Sequence, residues 1–190
     1  MEDILNHFKN TYFDDFVDMM RGKLGLALSL PEDKELIRSL EETLHLTETD
    51  MTIFFRNLSQ VKKADTIEEN IDSLAPIKDA FYEIDALEDD ILRGWLDWFK
   101  KYIQRLNIET ATDLERKMKM DAVNPKYVLR NYMAQLAIDA ADNGDYSLVN
   151  ELHELLKQPY SEQIEHEKWF AKRPDWARNK VGCSMLSCSS

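Results

Sequence analysis

The stretch Leu87-Glu-Asp-Asp-Ile-Leu-Arg-Gly-Trp-Leu-Asp-Trp-Phe-Lys-Lys-Tyr-Ile-Gln-Arg-Leu106 decides the fold class. Ile91, Trp95, Phe99, Tyr102 and Leu106 recur at steps of three and four, so they line one stripe of a helix. Asp89, Asp90, Asp97, Lys100 and Arg105 fall between them and are expected to face water. An apolar stripe at helical spacing reads as core packing ahead of its alternative, a ligand platform built from Trp95, Phe99 and Tyr102.

The same period extends outward in both directions. Residues 3–25 carry Leu5, Phe8, Tyr12, Phe16 and Met20, with Phe13, Val17 and Leu24 beside them, on one broad face of a long helix whose end Gly22 and Gly25 weaken. Ser29-Leu-Pro-Glu32 reads as a helix start, with a hydroxyl cap and Pro in the first turn, followed by Leu36, Ile37, Leu40 and Leu44. Thr49 or Asp50 caps a third helix with Phe54, Phe55, Leu58 and Val61 inward. A weaker segment opened by Asp65 holds Ile67, Ile71 and Leu74 and closes before Pro76, because the residue preceding Pro disfavours the α region. Asn124-Pro125 reads as another start, leading to Leu129, Met133, Leu136 and Ala140. Asn143-Gly144 stops that helix, and Asp145 or Ser147 begins the next, with Leu148, Leu152 and Leu155 inward. This pair predicts an antiparallel hairpin.

No stretch alternates with period two and no fixed repeat emerges. The prediction is an all-α fold of about seven helices in an irregular bundle with an extended C-terminal tail. Residues 1–176 form the helical domain and 177–190 a flexible tail.

Length and charge narrow the function classes. A chain of 190 residues can bury roughly 70% of its unfolded surface. A formal net charge of −12 argues against nucleic-acid partners, which require clustered Lys and Arg, and against an anionic membrane surface. No apolar run approaches the ~20 residues of a spanning helix, and Met1-Glu-Asp-Ile4 lacks the basic start of a secretory signal. The expected setting is intracellular.

Chemistry-bearing motifs are sparse. Neither GxxxxGK[ST] nor GxGxxG occurs, so no standard phosphate cradle is present. His153-Glu154 and His166-Glu167 are thirteen apart and do not form HExxH, which leaves the four histidines structural or solvated. Carboxylate pairs such as Asp89-Asp90 point ~100° apart on a helix and read as a solvated face. The two cysteines, Cys183 and Cys188, stand together in Val181-Gly-Cys-Ser-Met-Leu-Ser-Cys-Ser-Ser190. In an exposed tail they would be accessible thiols, either incidental or a small redox pair.

Asn124-Pro-Lys-Tyr-Val-Leu-Arg-Asn-Tyr-Met-Ala-Gln135, Gly144-Asp-Tyr-Ser147, Leu156-Lys-Gln-Pro-Tyr160, Pro174-Asp-Trp-Ala177 and the closing Cys188-Ser-Ser190 resemble, in order, the C-terminal end of the selenoprotein O (SelO) family. Met20-Arg-Gly-Lys-Leu-Gly25 and Thr52-Ile-Phe-Phe-Arg-Asn-Leu-Ser59 are similar to the helical segment that precedes it there. The family comprises pseudokinases that transfer AMP from ATP, with Mg²⁺ or Mn²⁺, to hydroxyl side chains of protein substrates. The resemblance implies that the nucleotide- and metal-binding residues belong to a kinase-like region upstream of the matched part. No cofactor is therefore expected on this chain. The implied partners are that kinase-like region, in the same or a split protein, and protein substrates.

The terminal Cys-Ser-Ser matches the family's selenocysteine or cysteine position, which makes Cys188 the redox residue; a disulfide to the kinase-like region is implied. Cys183 has no family counterpart. The family setting is cytoplasmic for a bacterial chain and mitochondrial for a eukaryotic one. The competing reading is a stand-alone acidic helical module that binds a protein partner.

Overall fold

The computed structural model describes residues 2–180 and 183, and its fold is all-α. Among the described residues no strand forms; one isolated antiparallel bridge joins Thr49 and Phe81. Among the described residues no helix is long and apolar enough to cross a membrane. The chain divides into two compact units, Met1–Asn124 and Pro125–Ser190.

The first unit opens with helix α1, Glu2–Leu24. It ends where Gly25 takes φ 71°, a left-handed conformation that glycine adopts without strain. The Gly25 amide donates to the Gly22 carbonyl at 3.2 Å and the Leu26 amide to the Arg21 carbonyl at 2.9 Å, the paired closure of a Schellman motif. A side chain at Gly25 would also meet Met120 Sδ at 2.7 Å.

Helix α2 spans Asp33–Leu44 and starts later than Ser29-Leu-Pro-Glu32 suggests. The Leu30 amide donates to the Asp33 carboxylate at 3.0 Å, while no side chain caps Glu32. Helix α3, Met51–Leu58, is capped by Asp50, which accepts the Ile53 amide at 3.0 Å. The segment expected to close before Pro76 instead runs as 3-10 turns from Ile71 to Ala80. Asn70 starts them, and a new turn at Pro76 lacks only an N–H it does not need.

Helix α4, Asp89–Leu106, forms the centre of this unit. Trp95, Trp98, Phe99, Tyr102 and Leu106 are fully buried, and burial of a large apolar side chain contributes roughly 1.5–3 kcal/mol. Trp98 and Tyr102 stack at 5.0 Å; Phe81 meets Trp95 edge-on at 4.9 Å. The aromatic stripe is thus core. Arg105, expected at the surface, is buried.

Helix α5, Asp113–Val123, has no counterpart in the apolar pattern because it buries only Arg116 and Met120. Its signal was the capping box Thr112-Asp-Leu-Glu115: Glu115 donates its amide to Thr112 Oγ1 at 3.2 Å and accepts the Thr112 amide at 2.8 Å.

The second unit carries α6, Asn131–Ala141, and α7, Ser147–Leu156, packed as a hairpin. Gly144, at φ 82°, closes α6 with the same Schellman bonds as Gly25. Helix α6 begins well after Asn124-Pro125. Asn124 instead ends α5, its side-chain amide donating to the Lys23 carbonyl at 2.9 Å, and the Lys126 and Tyr127 amides both donate to the Pro159 carbonyl. Leu129, in this extended lead, is exposed rather than inward. Tyr127, Tyr132, Met133, Leu152, Leu155 and Trp169 form the core of this unit, and Ala177 and Cys183 are buried in it. The sequence sets the tail boundary at residue 177; residues 181, 182 and 184–190 lie outside the described ones.

Candidate functional site

The two sequence-nominated cysteines have different standing. Cys183 is a free thiol, 5% exposed, in the apolar core of the second unit. Its carbonyl accepts the Asn131 side-chain amide at 3.3 Å, and its amide donates to the Lys180 carbonyl at 3.1 Å. Thiol exchange requires an accessible thiolate, so this geometry does not support the accessible thiol expected at Cys183. Cys188 lies outside the described residues.

The charged cluster that the sequence did not reveal is centred on Arg105. Its Nε donates to Asp33 Oδ1 at 2.6 Å, Nη1 to Glu109 Oε1 at 2.9 Å and Nη2 to the Leu28 carbonyl at 2.7 Å. Glu109 accepts the Leu28 amide at 3.2 Å. Arg21 Nε lies 3.4 Å from Asp33 Oδ2, and its Nη2 donates to the Ala27 carbonyl. Tyr102 adds a hydroxyl bond to the Leu24 carbonyl at 2.9 Å. Burial by itself would lower the Arg105 pKa, but the carboxylates of Asp33 and Glu109 outweigh it and hold the guanidinium above its ordinary value. Burial pushes the Tyr102 phenol up. These groups clamp the link between α1 and α2. Arg105 and Glu109 are an i,i+4 pair readable in the sequence, whereas Asp33 is 72 positions away from Arg105.

The other buried cations are committed in the same way. Arg56 donates to the Asp121 and Asn124 carbonyls at 2.9 and 3.0 Å, placing a cation at the C-terminus of α5, where the dipole favours it. Arg116 donates to the Val61 carbonyl. In the second unit, Lys126 bridges Glu162 and Glu167 at 2.6 Å each. Glu151 accepts Lys168 Nζ at 2.7 Å and the Trp169 indole at 2.9 Å, with His166 Nδ1 at 3.4 Å. The Lys168 bond holds the Glu151 carboxyl below its usual range against the opposing effect of burial.

Among the described residues no three His, Cys, Asp or Glu side chains are grouped to hold a metal ion. Among the described residues, the buried guanidiniums of Arg56, Arg105 and Arg116 point at carbonyls and carboxylates within the fold.

Helix α1 presents a different kind of surface. Val17, Met20 and Leu24 are buried in the unit. Ile4, Leu5, Phe8, Tyr12 and Met19 are exposed, Phe8 at 65% and Tyr12 at 64%, and their rings stack at 6.3 Å. With half-buried Phe16, these residues occupy an arc of about 120° over ~22 Å of helix. Beside it, between α1 and α2, lies a groove of about 320 Å³ lined by Phe13, Phe16, Val17, Pro31 and Ile37. Lys34 sits on its rim, 4.9 Å from the Phe13 ring centre and 3.4 Å from Asp14.

Comparison with known proteins gives this geometry a context. A family model described as Protein adenylyltransferase SelO matches residues 1–157. A relative named protein nucleotidyltransferase YdiU in Flavobacterium johnsoniae is 58% identical over 190 residues, covering 100% of this chain and 36% of that protein. Proteins of the same name in Rhodopirellula baltica and Tolumonas auensis are 47% and 45% identical; the matches cover 90% and 96% of this chain and 33% and 34% of theirs. The chain thus spans about a third of the length of these curated relatives.

Proposed function

The chain belongs to the SelO protein adenylyltransferase family, and from that premise we propose that it is the helical portion of such an enzyme, buttressing a nucleotide-binding region that it does not itself contain. In this reading the assembled protein joins AMP to a side-chain hydroxyl of a protein substrate and releases pyrophosphate from ATP. The helical portion binds neither ATP nor Mg²⁺ or Mn²⁺, and is inactive alone. The observation that carries the reading is the commitment of Arg56, Arg105, Arg116 and Lys126 to partners inside the fold, in a chain that covers a third of its relatives' length. The bacterial relatives favour a cytoplasmic setting.

Calorimetric titration of the chain with ATP and Mg²⁺ or Mn²⁺ is expected to show no binding. Micromolar affinity would overturn the reading.

In this reading Cys188 is a redox-regulatory thiol. Together with a second thiol in the nucleotide-binding region it would give up two electrons and two protons to a disulfide oxidant, such as oxidised glutathione, and form a disulfide. The burial of Cys183 in the second core supports assigning this role to Cys188 alone. Oxidised glutathione should therefore modify the isolated chain at Cys188 and spare Cys183; preferential modification of Cys183 would reverse the assignment.

A further inference from the structure

Helix α1 is apolar over far more of its circumference than its own unit covers. Met20, Phe13, Leu24 and Val17 span one arc, and the unit buries three of the four. The adjoining arc of Ile4, Leu5, Phe8, Tyr12, Phe16 and Met19 faces outward, with Phe16 alone half covered. Every described side chain from Ile4 to Asp15 is exposed. A soluble surface rarely carries a contiguous apolar stripe of this size without a partner.

We propose that this outer arc of α1, continuous through Phe13 and Phe16 with the α1–α2 groove, is the seat on which the remaining two thirds of the SelO-type protein docks. The inference rests on the function proposed above and names the surface that carries it. Three observations select this occupant. The relatives hold about two thirds of their length outside the match, so the family supplies a large body that must pack somewhere. Six side chains fall well short of the ~20–30 residues a side of a standard interface, so the stripe is poorly suited to a homodimer standing alone and well suited to one element of an intramolecular interface. Finally, Asp15 within the arc of the stripe and Asp18 near its edge, in a chain of net charge −12, oppose an anionic bilayer.

The groove adds a polar check on register. Lys34 is held by Asp14, and Arg38 by Glu35 and Glu42. Lys34, Glu35, Arg38 and Glu41 share the groove lining with its apolar residues. The docking segment should present apolar side chains to Phe8, Tyr12 and Phe16.

The test is hydroxyl-radical footprinting read by mass spectrometry. One sample is the isolated chain. The other is the full-length Flavobacterium johnsoniae relative with its matching third replaced by this chain. Oxidation of Phe8, Tyr12 and Met19 should fall several-fold in the full-length chimaera, and Phe8→Glu with Tyr12→Glu should lower the thermal midpoint of the chimaera while leaving that of the isolated chain unchanged. Equal oxidation in both samples, in a chimaera that transfers AMP, would overturn the docking surface but not the proposed function. A folded chimaera without AMP transfer would overturn the function itself. If the same residues become protected in the isolated chain as its concentration rises, the occupant is a second copy and the proposal fails.

Discussion

The two halves of α1 carry apolar residues at the same helical spacing but on adjoining arcs, and these have opposite fates. The C-terminal half buries Val17, Met20 and Leu24, is closed by a Schellman motif at Gly25, and continues into a link clamped by Arg105, Glu109 and Arg21. The N-terminal half carries Leu5, Phe8 and Tyr12 at equivalent spacing, and all three are exposed. Periodicity reports that a face needs cover; it does not report which body supplies it. The inner half is covered by its own fold, and the outer half is the part that makes sense only beside another body.

The sharpest way to break that contrast is to remove the clamp. Arg105→Ala leaves Asp33 and Glu109 buried without their main cation, which should cost about 3–5 kcal/mol in chemical denaturation of the isolated chain. A loss under about 1 kcal/mol would mean that the clamp behaves as a surface pair. Next comes the direct comparison within one helix. Leu24→Ala, at a fully buried position, should cost about 2–5 kcal/mol. Leu5→Ala, at an exposed one, should stay within about 0.5 kcal/mol in the isolated chain. Similar costs at the two sites would erase the distinction between inner and outer halves.

Much of this was legible, for reasons that particular residues show. The stripe from Trp95 to Leu106 identified α4 because its apolar side chains sit in one core. Asn143-Gly144 and the α6–α7 hairpin followed from local turn chemistry. Helix α5 escaped because Leu114 and Met118 are exposed and it buries only Arg116 and Met120, so no apolar period exists to find; its capping box was the available signal. Arg105 was misread as a surface residue because its partner Asp33 is distant in sequence, and a charge pattern along one helix cannot reveal such a partner. Asn124-Pro125 carries a start signal that long-range contacts override: the amide of Asn124 goes to Lys23, and Pro159 takes the following N–H groups. Of the candidate site, the sequence showed the apolar face of α1 but not where its cover stops. Both cysteines stand out in the sequence by their place near its end; only the family resemblance distinguishes Cys188 from Cys183.

The smallest predicted effect lies away from α1 and serves as a control. Lys168 holds Glu151 below the ordinary carboxyl range in the folded state. The stabilisation from Glu151 is therefore present above the ordinary glutamate pKa and is lost as pH falls below it, through the depressed folded value. Denaturant midpoints of the second unit should decline over that acid window, and Glu151→Gln should flatten that part of the decline. An unchanged acid slope in Glu151→Gln would remove Glu151 from the account.

On the proposed docking, the outer arc of α1 becomes buried when the rest of the protein is present. Backbone hydrogen exchange of residues 4–16, compared between the isolated chain and the full-length chimaera, tests it most directly. Marked slowing is expected across this segment in the chimaera, with Val17–Leu24 protected in both. Equally fast exchange of residues 4–16 in both samples would contradict it.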